Sequence, residues 1–287
     1  CTSLGAAGLV FGLPAIISQG LIGLGSIILL AAFIVTYFKH YRWKIEWSGL
    51  TMILGVAHWA IGNGLWLGSQ PLSRVTPWWV GFLVLTIAGE RLELSRATLL
   101  TRASRISFVA VVALFVSGLV VSLSWPGAGL QIGGAGLIGL GLWLMAFDVA
   151  RRTIRRSGLT RFIAACLLPG YVWLIVGGAL WLWGAAYFAG GVAYDAMLHA
   201  VLLGFVFSMI FGHAPIIIPA VASVDIRYRP AFYAHLLLLH ASLILRVWAD
   251  LSAQPSARAW AGLLNVLAIT LFLFNTARSA RRQPAGT

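Results

Sequence analysis

The sequence predicts an all-α fold, a polytopic transmembrane helical bundle of about nine spans, and three observations predict it. Of the 287 residues, 60% are apolar and only 9% are Asp, Glu, Lys or Arg, whereas a soluble domain carries about 25% charged residues. Mean hydropathy is +0.93. Apolar runs of about 20 residues, long enough to cross a bilayer core as helix, recur along the whole chain, and nothing resembles the roughly ten-residue alternation of a membrane barrel. A soluble enzyme, a disordered chain, collagen and a coiled coil are excluded. Residues 1–287 read as one integral membrane domain, with a His-rich functional half at 192–278.

Windows of about 19 residues place the spans at roughly 15–38, 49–68, 77–95, 106–124, 129–149, 162–187, 192–216, 230–250 and 259–277. Residues 1–14 are apolar but too short to cross alone. They read as the remnant of a truncated upstream segment, with a leader-cleaved, lipid-modified Cys1 as the alternative. Pro215 reads as the end of the seventh span. The 32 glycines, Gly204 among them, suit close helix contact. With two cysteines and no CxxC or CxxCH, neither a structural zinc site nor covalent c-type haem has support.

The net charge of +13 sits in short clusters between spans, where it signals topology and not nucleic acid. Lys39, Arg42, Lys44; Arg91, Arg96, Arg102, Arg105; Arg151, Arg152, Arg155, Arg156, Arg161; Arg227, Arg229; and Arg278, Arg281, Arg282 follow the odd-numbered spans. Only Arg74, Arg246 and Arg258 fall on the other side. The positive-inside rule therefore predicts an outside N-terminus and a cytoplasmic C-terminus, as in a multi-pass protein of a bacterial inner membrane.

Ionisable groups within a bilayer are costly, so those present face the bundle interior or a functional pathway. They are His58 in span two, Glu90 and Glu93 in span three, Asp195, His199 and His213 in span seven, His235 and His240 in span eight, and Arg246 near its end. Four of the six histidines fall between positions 199 and 240. Fourteen residues at about 100° each place His199 and His213 on one helix face, some 21 Å apart. That suits two stacked sites, as in di-haem cytochromes b, which the chain resembles in this respect alone; the gap between His235 and His240 supplies no matching pair. By depth, His58 and His240 approach mid-membrane, while His213 and His235 lie near the cytoplasmic edge. Asp195, one turn before His199, is placed to accept a hydrogen bond from one imidazole nitrogen and leave the other to a metal. Arg246 is placed to neutralise a haem propionate. Each site has a plainer competitor: packing for His58, an interfacial position for His213 and His235, an ion pair with Asp250 for Arg246, and pairing with Arg91 and Arg96 for Glu90 and Glu93.

The segment His199-Ala-x-x-x-Gly204-x-x-x-x-Met209-x-x-Gly212, followed by an apolar span containing Leu245-Arg246, resembles the C-terminal part of the NnrS family, over about 80 residues. Those are bacterial polytopic haem- and copper-containing membrane proteins linked to nitric oxide stress and denitrification. The resemblance implies His199 as a metal or haem ligand and Arg246 as part of the same surface. It does not extend to His213, because His213-Ala-Pro215 departs from the family pattern, and the family is longer, commonly with about twelve spans.

The function expected from these residues is a haem-binding membrane protein, with b-type haem and copper as a further candidate. It would handle a small diffusible gas such as nitric oxide or exchange electrons with a donor, with His199, His240, His58, His235 and His213 as the pool of metal ligands. A proton-coupled transporter and a non-catalytic subunit of a respiratory complex are the competing classes.

Overall fold

The computed structural model describes residues 1–41, 45–95, 100–184 and 190–282. Its helices, in chain order, are α1 (Thr2–Val10), α2 (Ala15–Tyr41), α3 (Trp47–Leu67), α4 (Leu72–Ser95), α5 (Arg102–Val121), α6 (Pro126–Phe147), α7 (Ala150–Thr153), α8 (Gly158–Gly184), α9 (Val192–Ala222), α10 (Phe232–Leu251) and α11 (Pro255–Ser279). A short antiparallel ribbon pairs β1 (Val224–Ile226) with β2 (Ala280–Arg282). Among the described residues nine helices, α2 to α6 and α8 to α11, are long and apolar enough to cross a membrane. Each predicted span falls on one of them. Arg42, Lys44 and Arg96 of the basic clusters lie outside the described residues.

The distribution of apolar surface is the reverse of that in a soluble protein. Helix α2 has the highest hydropathy of the nine, 2.4, yet only 11% of its most apolar window is buried. Ile27, Ile244, Trp260 and Leu273 are all more than half exposed. Large apolar side chains are thus exposed on α2, α10 and α11 alike.

The chain forms two compact units, Cys1–Gly136 and Leu137–Thr287. In the first, α3 and α4 are bridged by polar side chains. Trp79 Nε1 donates to Asn63 Oδ1 at 3.0 Å, and Ser48 Oγ donates to Glu93 Oε2 at 2.5 Å. Glu93 therefore serves this bridge, and Glu90 pairs with Arg91 at 3.3 Å. Further along, α5 and α6 cross backbone to backbone: a Cβ on Gly118 would overlap the main chain of Gly133. The short α1 lies against α2, with Gly5 facing Ser18 and Ile22.

In the second unit α8, α9, α10 and α11 pack around Phe162, Tyr171, Trp181, Phe205, Phe211, Phe232 and Leu239, all fully buried. Two features of α9 differ from expectation. Pro215 does not end it: the helix passes through Pro215 and Pro219 and closes after Ala222, where Ser223 turns left-handed at φ 53°. Proline costs a helix one backbone bond and a clash with the preceding turn, a defect that membrane helices absorb by local adjustment. Second, His199–Phe207 is π-helical, bonded i→i+5. The same-face relation between His199 and His213 assumed an uninterrupted α-helix, and the wider turn shifts the phase, so that relation does not carry across this stretch.

The α5–α6 crossing gives a direct test. Gly118→Ala should destabilise the protein by about 1–3 kcal/mol, the cost of overpacking, whereas Gly20→Ala, where a Cβ meets nothing within 4 Å, should be neutral or slightly stabilising because Ala favours helix. Thermal unfolding of the two variants in detergent distinguishes them.

Candidate functional site

The charged residues singled out in the seventh and eighth spans converge where α9 begins, α10 ends and α11 begins. Gly190 and Gly191, at φ 150° and 87°, turn the chain into α9 and put Asp195 in its first turn, where the helix dipole favours an anion. Pro255 opens α11, a position at which its missing N–H has no cost, and Arg258 follows one turn later.

The geometry is a closed ionic network. Arg246 donates to Asp195 Oδ2 from Nη2 at 2.5 Å and from Nε at 3.0 Å, and Nε also reaches Asp250 Oδ2 at 3.2 Å. Arg246 Nη1 donates to the carbonyl of Arg258 at 3.4 Å. Arg258 itself pairs with Asp250 Oδ1 at 2.8 Å and Asp195 Oδ2 at 3.4 Å. Two guanidiniums thus balance two carboxylates, one of which, Asp250, is almost fully buried. Both competing expectations for Arg246, a functional surface shared with Asp195 and a plain ion pair with Asp250, describe parts of this network. Beside it lies a cleft of about 470 Å³ lined by Val192, Arg246, Gln254, Pro255, Arg258 and Gly262, among others.

His199 joins the network through Nδ1, which lies 2.9 Å from the Asp195 carbonyl and 3.3 Å from its Oδ2. The carboxylate contact expected from the i, i+4 spacing is there, but the backbone oxygen is nearer. Both partners only accept, so Nδ1 carries a proton, and in the neutral ring the lone pair is on Nε2. Among the described residues Asp195, His199 and Asp250 are the one group of three or more His, Cys, Asp or Glu with ligand atoms within 4.8 Å of one another. The trio does not fit a bare copper ion: both carboxylates are already engaged by Arg246 and Arg258, whose charges oppose a further cation.

The other histidines divide by the same rule. His58 Nδ1 donates to the Leu54 carbonyl at 2.6 Å, the ring stacks on Trp78 with centroids 5.1 Å apart, and Nε2 is buried without a partner. His213 Nδ1 donates to the Met209 carbonyl at 2.7 Å. In their neutral forms these two rings, like His199, carry the proton on Nδ1. His240 is the reverse: Trp173 Nε1, which can only donate, points at its Nδ1 at 3.1 Å, so the neutral ring carries its proton on Nε2. His235 is reversed as well. Asn275 Nδ2 donates to the Ala231 carbonyl at 3.3 Å, which orients the amide, and lies 3.2 Å from His235 Nδ1. His235 is 1% exposed and ringed by Phe162, Phe211, Phe232 and Phe272 at centroid distances of 4.9–5.9 Å. As placed, His235 and His240 offer protons and not lone pairs. His58 lies in the first unit and the other four in the second.

Sequence reasoning missed three participants. Arg258 was counted only as a topology signal, although it shares its end of the chain's helices with Asp195 and Asp250. Trp173 and Asn275 lie 67 and 40 residues from the imidazoles they orient, and no local spacing marks them. Gly204 admits Trp173: a Cβ there would overlap the indole.

Two substitutions probe the network and this contact. Arg246→Met leaves Asp195 and Asp250 facing each other with Arg258 alone, and should cost a few kcal/mol, below the ~3–5 kcal/mol of a fully buried pair because Asp195 is a quarter exposed. Gly204→Ala should cost about 1–3 kcal/mol by displacing Trp173. Both are read as lowered unfolding temperatures.

No curated protein and no solved structure matches the chain. One family profile does, over residues 1–281, described as a domain of unknown function (DUF8744), and the chain belongs to that family.

Proposed function

We propose that the chain is a multi-pass protein of a bacterial inner membrane, N-terminus outside and C-terminus cytoplasmic, that holds a haem through His199 and uses it to handle a diatomic gas or to pass electrons. Membrane insertion is supported by the nine long apolar helices and by the low burial of the most apolar of them. The orientation is supported by the Lys and Arg bias, seventeen of twenty on one side.

The observation that carries the haem reading is the fixed tautomer of His199. Metal-ligating histidines donate their second ring N–H to a carbonyl or carboxylate, which sets the ring orientation and raises the basicity of the other nitrogen. Asp195 supplies both acceptors, at 2.9 and 3.3 Å. Arg246 in turn holds Asp195, so the imidazole is oriented through two layers of contacts. Arg258, 39% exposed in its side chain, keeps part of its guanidinium open to the cleft, where it suits a ligand carboxylate. A haem held by the His199 imidazole would supply a one-electron couple and a site for a diatomic ligand.

The test is an absorption spectrum with iron and copper analysis of detergent-purified protein. A Soret band that shifts with carbon monoxide, iron in stoichiometric amount, and loss of both in His199→Ala are expected. A colourless, metal-free preparation contradicts the reading, as does a coloured one that His199→Ala leaves unchanged.

A further inference from the structure

We infer that a pocket at one rim of the first unit binds the phosphate group of an anionic phospholipid, with Arg74 as its counter-charge. The pocket, of about 210 Å³, lies where α3 and α5 end and α4 and α6 begin, and Gln70, Ser73, Arg74, Trp78, Leu123 and Leu130 are among the residues that line it. Three of these carry polar donors: the Arg74 guanidinium, the Gln70 carboxamide and the Ser73 hydroxyl. Among the described residues no carboxylate lines it. Arg74 Nη1 donates to Gln70 Oε1 at 3.3 Å, which engages the amide oxygen and leaves the amide N–H groups and the rest of the guanidinium to donate elsewhere. The Ser122 hydroxyl, also at the pocket, gives its proton to the Leu119 carbonyl at 2.6 Å.

Charge selects an anion. Arg74 is the only Asp, Glu, Lys or Arg between Glu46 and Glu90. Glu90 stands sixteen residues further along the same helix, about 24 Å away, and Glu46 precedes the far end of α3, about 30 Å from its close at Leu67. Both distances exceed the screening length of about 8 Å at physiological salt. Unlike Arg246 and Arg258, this cation therefore has no carboxylate of its own unit to neutralise it. Level selects a lipid phosphate. Helices α3 and α4, of 21 and 24 residues, are about 31 and 36 Å long, so their ends lie at the edge of a hydrocarbon core about 30 Å thick, where lipid headgroups begin. The guanidinium fork matches a phosphate. One turn deeper, Trp78 and Leu130 line the pocket with apolar surface, which suits the carbons that follow a lipid phosphate.

This inference rests on membrane insertion and not on the haem, whose own readout is the absorption spectrum; a chain that stays monodisperse without detergent would count against insertion itself. Native mass spectrometry of the delipidated full chain in detergent, titrated with dioleoylphosphatidylglycerol, dioleoylglycerol or inorganic phosphate, reads the affinity for the first ligand bound. One phosphatidylglycerol should bind at least tenfold more tightly than the next, and at least tenfold more tightly than dioleoylglycerol or inorganic phosphate. Arg74→Gln should weaken that first site at least tenfold. Leu123→Trp, at a position 47% exposed, should do the same by filling the mouth, while Arg151→Gln, an exposed arginine on α7, should leave the site unchanged. Phosphatidylglycerol sites that are all equivalent overturn the inference. So does dioleoylglycerol or inorganic phosphate binding as tightly as the phospholipid, or unchanged affinity in Arg74→Gln.

Discussion

A nitrogen buried among hydrocarbon side chains has few partners to choose from, and the partner it finds determines which atom holds the proton. This constraint organises the polar chemistry of the chain. A carbonyl of the preceding turn accepts from Nδ1 of His58, His199 and His213, so the neutral form of each ring carries its proton there. An indole or a carboxamide donor reverses His235 and His240. Five imidazoles that look equivalent in sequence thus fall into two chemical classes, and neither depth nor helix face makes the division. It also ties packing to chemistry: Gly204 admits Trp173, Trp173 sets His240, and His240 is left with a proton to give.

The ionic network at the start of α9 answers the same constraint for full charges. Isolated, Asp250 would be prohibitively expensive in its buried position; paired with two guanidiniums, it joins α10 to α11, while Asp195 joins both to α9. The charges balance within the cluster. A cation therefore gains little there, although the donor atoms lie close enough to suggest one. The structural and functional readings of Arg246 are then compatible: the residue that braces three helices also fixes the carboxylate that orients His199.

The nine long apolar helices among the described residues were legible in the sequence because a bilayer-length apolar run is a signal that needs no tertiary information. Local pairs were legible for a similar reason: Asp195 with His199 and Arg246 with Asp250 are each four residues apart, one turn of helix. What escaped depends on contacts between distant segments. Trp173 and Asn275 are placed by helix packing, Arg258 by the turn between α10 and α11, and the π-helical stretch of α9 by a change in backbone bonding that composition does not record. Pro215 reads as a helix end in the sequence, yet the helix continues through it to Ala222, because a proline's lost backbone bond does not by itself stop an apolar helix held by its neighbours.

The most direct measurement is nitrogen-15 NMR of protein labelled at histidine, in which ring-nitrogen shifts and couplings report which nitrogen of each neutral imidazole bears the proton. The account predicts Nδ1–H for His58, His199 and His213 and Nε2–H for His235 and His240, with the His240 signal changing in Trp173→Phe. An Nδ1–H tautomer at His240, or an Nε2–H tautomer at His199, would contradict it.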